Sequence, residues 1–216
     1  MKSTEIIVRI NDKVSIKGNL NVPHNPTALV IFSHGSGSSR FSKRNRHVAE
    51  ILNNNNIATL LTDLLTNWED EIYENRFDID MLANRLIAVT NYVTQISDMK
   101  HLPVGYFGAS TGAAVALIAA GYPAIKIGAV VSRGGRPDLA RKSLPLVKAP
   151  TLLIVGSLDS DVILLNSQAL SKLNCEKEMK IVKGATHLFE EPGKLDEVAN
   201  LAVEWFTKYL VFNTIK

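Results

Sequence analysis

The chain has 216 residues, 46% hydrophobic and 21% charged, a balance that excludes disorder, collagen-like repeats and a coiled coil. That length suits one globular domain over residues 1–216 and is too short for two ordinary ones. A net charge of +3 lacks the dense basic surface that duplex nucleic acid demands, and a single cysteine, Cys175, excludes an internal disulfide or a cysteine-based metal site. A cytoplasmic protein is expected.

In chain order, residues 1–10 carry Glu5 and Arg9 and no apolar run of signal-peptide length. Residues 6–10 and 14–22 alternate apolar and polar side chains around Asn11 and Asp12, predicting an opening antiparallel hairpin. Buried-strand runs follow at 28–32, 57–61, 104–107, 127–131, 152–155 and 179–182. Between them lie helical patterns. A helix starts near Ser42 and ends at the polar run 53–56. Ile79, Leu82, Leu86, Val89, Val93 and Ile96 form one apolar stripe. Three further helices are expected at 111–120, 164–173 and 195–210. Residues 112–131 are the one stretch resembling a membrane span, but Lys126 and the break at Gly121 and Pro123 divide it into a helix and a strand. Strands alternating with helices predict a mostly parallel sheet covered on both faces, with chemistry at the carboxyl ends of the strands.

The motif Gly108-Ala109-Ser110-Thr111-Gly112 follows one such strand and opens a helix. In that setting G-x-S-x-G is a nucleophile elbow, a sharp turn that lifts the Ser110 hydroxyl above the sheet with the Thr111 N–H beside it. A serine hydroxyl needs a base, and the base an orienting acid. Downstream of Ser110 there is one histidine, His187, just past the strand at 179–182. Two acids follow the strand at 152–155: Asp159 is within comfortable reach of a histidine, whereas Asp161 suits the cap of a helix beginning near Val162. Asp63 is a third, outside candidate that precedes the serine. The second oxyanion donor is expected in the run Ser33-His34-Gly35-Ser36-Gly37, with the Ser36 N–H first and Gly35 next. His34 reads as a turn-stabilising residue.

These motifs together resemble the α/β-hydrolase fold, nearest to its small lidless dienelactone-hydrolase-like members. The likeness runs from His34 to Gly37, through Gly108 to Gly112 and Gly156 to Asp159, to His187. It implies a twisted, mostly parallel sheet with an N-terminal antiparallel hairpin, helices on both faces and no large lid. It also implies a Ser110–His187–Asp159 triad and no cofactor. Ser132-Arg133-Gly134-Gly135-Arg136-Pro137-Asp138 is similar to a bacterial subgroup sometimes fused to phosphoribosyltransferase domains. Dienelactone hydrolase itself uses a cysteine nucleophile where this elbow has Ser110.

The implied reaction is hydrolysis of a small ester or lactone, with thioester hydrolysis, acyl transfer and a non-catalytic binding role as alternatives. No nucleic-acid or membrane partner is expected. The serine-rich run 35–40 is not a phosphate loop, because it lacks G-x-x-x-x-G-K-[ST] and Arg40 replaces the third glycine of G-x-G-x-x-G. The five histidines show no metal-ligand spacing, and Cys175 reads as a bystander. Only residues 132–150 separate two strands where lipases of this fold carry a cap, while 64–77 suits a small flap bearing Trp68 and Tyr73. Arg40 and Arg133 are candidate ligands for an anionic substrate. Arg136 lies near them, and Asp63 and Asp138 are the carboxylates able to neutralise such arginines.

Overall fold

The computed structural model describes residues 1–211. Eight strands form one sheet in the order β1-β2-β4-β3-β5-β6-β7-β8. Strands β1 (Lys2–Arg9) and β2 (Ser15–Val22) make the antiparallel hairpin, and β2 runs antiparallel to β4 (Ile57–Thr62). From β4 onward the pairing is parallel, through β3 (Ala28–Ser33), β5 (Val104–Ala109), β6 (Ala129–Arg133), β7 (Thr151–Gly156) and β8 (Lys177–Val182). Every residue of β3, β4, β5, β6 and β7 is buried, which is why these strands read as unbroken apolar runs. The hairpin has one wet face, so Ile6, Val8, Ile16 and Leu20 alternate with exposed or half-exposed residues.

Helices α1 (Lys43–Asn54) and α6 (Lys194–Phe206) cover one face, closing a core around Val30, Phe32, Phe107, Val131 and Phe206. On the other face α3 (Ile79–Val93), α4 (Thr111–Ala120) and α5 (Ser160–Lys172) close a core around Ile31, Leu86, Tyr106, Val115 and Ala169. The stripe of α3 is buried at Leu82, Leu86, Val89 and Val93, but the helix stops at the Thr94 cap, short of Ile96. Helix α5 starts at Ser160 rather than near Val162, because Asp159 takes the cap position. Strand β6 begins at Ala129, two residues later than its apolar run.

Among the described residues no cap domain is inserted above the sheet. Between β6 and β7 lies only a short 3-10 stretch, Pro137–Leu146, kinked at Arg141. After β4 comes a small flap containing α2 (Asn67–Asp70) and the 3-10 turn Tyr73–Phe77, with Trp68 and Tyr73 exposed. No helix among the described residues is long and apolar enough to cross a membrane.

Candidate active site

The loops after β3, β5, β6, β7 and β8 meet at one edge of the sheet. At its centre Ser110 joins β5 to α4 with φ 51° and ψ −124°. Such a backbone costs a non-glycine residue on the order of 1–3 kcal/mol and persists only where the surroundings enforce it. They do so here: the Ser110 N–H donates to the Arg133 carbonyl at 3.2 Å, and the Ser110 carbonyl accepts from the N–H of Ala113 and Arg136 at 3.1 and 3.0 Å. The two motif glycines are spatial necessities. A Cβ at Gly108 would lie 2.5 Å from Ala113 Cα, and one at Gly112 would lie 2.2 Å from the Ser33 carbonyl oxygen. Helix α4 can therefore press directly on β3 and β5, with its free N-terminal N–H groups beside Ser110.

His187 and Asp159 arrive from the two outermost parallel strands. The His187 Nδ1 is 2.6 Å from Asp159 Oδ2. Asp159 occupies the cap position of α5, yet its carboxylate makes no cap hydrogen bond; it faces the imidazole instead. The histidine loop packs so closely on its neighbours that a Cβ at Gly156 would lie 2.3 Å from the Ala185 carbonyl oxygen. Ser110 and His187 line one narrow cleft of about 110 Å³, together with Gly35, Ser36, Ser38, Ser42, Arg44, Asn45, Ala109, Arg133 and Leu188. Among the described residues no hydrogen bond joins the Ser110 hydroxyl to the His187 ring; such contacts are often loose before substrate binds.

The other sequence candidates take different places. Asp161 is exposed in the first turn of α5 and does not cap it, since the helix begins one residue before it. The Asp63 carboxylate accepts the Arg40 N–H at 2.9 Å and pairs with its guanidinium at 2.5 Å. Arg40 also pairs with Glu5 at 2.9 Å and is only 8% exposed, so it ties the β3 loop to β1 and does not face the cleft. Arg136 is held by both oxygens of Asp138, each at 2.9 Å. The Ser36 N–H, expected to be a free oxyanion donor, points at the Thr111 hydroxyl oxygen at 2.8 Å. That contact arises because the loop after β3 lies directly over the N-terminus of α4.

His34 does stabilise its turn. Its Nδ1–H donates to the Gly35 carbonyl at 2.9 Å and its Nε2 accepts the Leu64 N–H at 3.3 Å. Burial holds its pKa below the ordinary imidazole value, so the ring is neutral. Burial pushes the Cys175 thiol up, the wrong direction for a nucleophile. Among the described residues no three His, Cys, Asp or Glu side chains cluster to hold a metal.

Two features escaped the sequence reading. Glu69 and Arg85 form a buried two-point ion pair beneath the flap, at 2.5 and 2.7 Å. Arg44 lines the cleft beside Arg133, the arginine expected as an anion ligand, which is buried there with its Nε and Nη1 unpartnered. Neither Arg44 nor Arg85 stands out among the 24 lysines and arginines of the chain, because each is defined by a partner distant in sequence.

No family model matches the chain. Two Mycobacterium tuberculosis proteins bearing provisional phosphoribosyl transferase names are each 55% identical over 197 residues, 91% of this chain but 44% of theirs. The chain thus spans less than half the length of the curated relatives it matches. Among solved structures, Est1E from Butyrivibrio proteoclasticus (15% identity, TM-score 0.79, 94% of this chain and 98% of that one) shares the fold. So does the esterase domain of a Rhodothermus marinus protein (17%, TM-score 0.76, 97% and 100%). The dienelactone hydrolase of Anabaena variabilis is 53% identical, with a TM-score of 0.92 over 97% of this chain and 98% of that one. With the elbow, the strand order and the lidless edge in place, this chain belongs to the dienelactone hydrolase family of α/β-hydrolase-fold proteins.

Proposed function

We propose that the chain is a serine hydrolase of small esters or lactones, with Ser110 as nucleophile, His187 as base and Asp159 as orienting acid. One observation carries this reading: a histidine held by a carboxylate at 2.6 Å shares a cleft with a serine on an enforced strained elbow. Ser110 Oγ attacks the carbonyl carbon while His187 Nε2 takes its proton, and Asp159 stabilises the imidazolium that results. The charge developing on the carbonyl oxygen falls at the N-terminus of α4, within reach of the Thr111 N–H. The Ser36 N–H becomes the second donor once the Thr111 hydroxyl turns away from it. His187 then returns the proton to the leaving alcohol. Water, activated by the same ring, releases the acyl group.

The small cleft and the short connection after β6 favour compact substrates. The phosphoribosyl transferase name belongs to proteins more than twice as long as the matched segment, and nothing at this elbow calls for that chemistry. A fluorophosphonate probe tests the proposal. Wild-type protein should be labelled once, with Ser110→Ala unlabelled and inactive on p-nitrophenyl acetate. Equal labelling or turnover in Ser110→Ala would sink it.

A further inference from the structure

The cleft beside Ser110 gathers buried donors that have no partner. Arg133 ends β6 and follows Ala129 and Val131 onto the face covered by α1 and α6. It is 6% exposed, and its Nε and Nη1 have no partner. A buried, unpartnered guanidinium is among the least favourable groups a fold retains. Its pKa falls to about 10, through burial first and the charge of Arg44 second, so it stays protonated at neutral pH. Arg44 pairs through Nη1 with Glu190 at 2.6 Å, but its Nε is also buried without a partner. Two guanidiniums thus line one space, that of Arg44 shared with Glu190 outside it, and among the described residues no carboxylate lines the space itself.

The N-terminus of α1 opens on the same space. Ser42 caps this 12-residue helix by accepting the Asn45 N–H, which leaves its own hydroxyl proton to donate. The first turn carries no acidic residue, and its leading N–H groups have no acceptor within the helix. Ser38 adds a second hydroxyl from the loop after β3. Donors therefore converge from β6, from α1 and from the β3 loop. A carboxylate is planar and one guanidinium fork satisfies both its oxygens. Three directions of donation, with Arg133 unpaired and Arg44 shared with Glu190, match instead the three oxygens of a phosphate monoester. Asn45 Oδ1, the one orphaned acceptor among the described residues that line this space, suits a hydroxyl on the same molecule.

We infer that Arg133, Arg44, Ser38, Ser42 and the α1 N-terminus bind a phosphate monoester group, so that the substrate is a small phosphorylated ester or lactone. This rests on the serine-hydrolase reading for the reaction, though not for the binding. The phosphate is a handle only: water cleaves the acyl–oxygen bond at Ser110, the products are a carboxylic acid and an alcohol, and the phosphate monoester remains on one of them.

The test uses the full chain carrying Ser110→Ala, with inorganic phosphate as probe, by titration calorimetry and thermal shift at pH 7.5 and constant ionic strength. Phosphate should bind and raise the melting temperature, whereas acetate at equal concentration should not. Affinity should fall at least tenfold in Arg44→Met and be lost in Arg133→Met. Arg44 is one-third exposed, so Arg44→Met keeps the test decisive should Arg133→Met not fold. Acetate binding as well as phosphate would overturn the phosphate assignment, and unchanged phosphate affinity in both variants would place the ion elsewhere and overturn the site. Absence of phosphate binding while wild-type protein is still labelled at Ser110 by fluorophosphonate would overturn this inference and leave the hydrolase standing. Phosphate binding with wild-type protein left unlabelled would support the anion site and overturn the hydrolase reading alone.

Discussion

Replacing Glu69 by glutamine keeps the shape of the side chain and removes its charge beneath the flap. Glu69 is 5% exposed and grips Arg85, itself 6% exposed, through both oxygens. It also accepts the Thr66 N–H and hydroxyl at 2.9 and 2.8 Å, closing a capping box at the start of α2. Arg85 holds the carboxyl down, from 4.5 to about 2, and burial only partly opposes it. At about 1.4 kcal/mol per pH unit, that drop corresponds to about 3 kcal/mol of stability at neutral pH. Removing one partner of a buried pair costs about 3–5 kcal/mol, the same range. The sign follows from a carboxyl whose folded value is depressed: its contribution is complete above about 4.5 and is lost as pH falls toward 2. Urea unfolding should show Glu69→Gln less stable by about 3 kcal/mol at pH 7, with the gap to wild type closing between pH 5 and pH 2.5. Glu69→Gln/Arg85→Met should recover part of the loss. A difference below about 1 kcal/mol at pH 7, or a gap that stays constant on acidification, would refute the assignment of this pair as a stabilising clamp.

Three further outcomes are expected. Asp159→Asn should lower kcat by about 10⁴ because the histidine loses its orienting charge, while the exposed Asp161→Asn should leave steady-state rates within about twofold; the reverse ranking would exclude Asp159. Gly112→Ala should give insoluble or inactive protein, since its Cβ would meet the Ser33 and His34 carbonyl oxygens at 2.2 and 2.4 Å; a soluble, active variant by gel filtration and ester assay would contradict that geometry. Acetyl and butyryl p-nitrophenyl esters should be cleaved faster than the palmitoyl ester, and the opposite order would show that the cleft extends well beyond its described walls.

The parts of this molecule that were legible in the sequence are those fixed by neighbours along the chain. Gly108 and Gly112 announce the elbow because the strand-to-helix turn that needs them is only five residues long. The His187–Asp159 contact could be anticipated because Asp159 lies just past the buried strand β7 and His187 just past β8, its neighbour in the sheet. Caps and cations were harder. Asp161 looked like a cap, yet Asp159 holds that position and turns its carboxylate to a histidine 28 residues away. Arg40, Arg133 and Arg136 looked alike, but Arg136 meets Asp138 two residues on, Arg40 meets Glu5 across 35 residues, and Arg133 meets no carboxylate. Ser36 looked free because nothing in the local sequence shows that Thr111, 75 residues later, sits over its N–H.

Strand β8 is one edge of the sheet, opposite β1, and Val182 is the only fully buried residue of that strand. It pairs with β7 alone and leads directly into the loop that carries His187. Ser110, by contrast, rides on a central strand and a helix buried on nearly every side. The proposed nucleophile and its proposed base therefore belong to regions of unequal local stability. Fraying of the edge strand would carry the imidazole away while the elbow stayed folded. Heat or mild denaturant would then silence such an enzyme reversibly before the hydrophobic interior opened, making the outermost strand the fuse of the molecule.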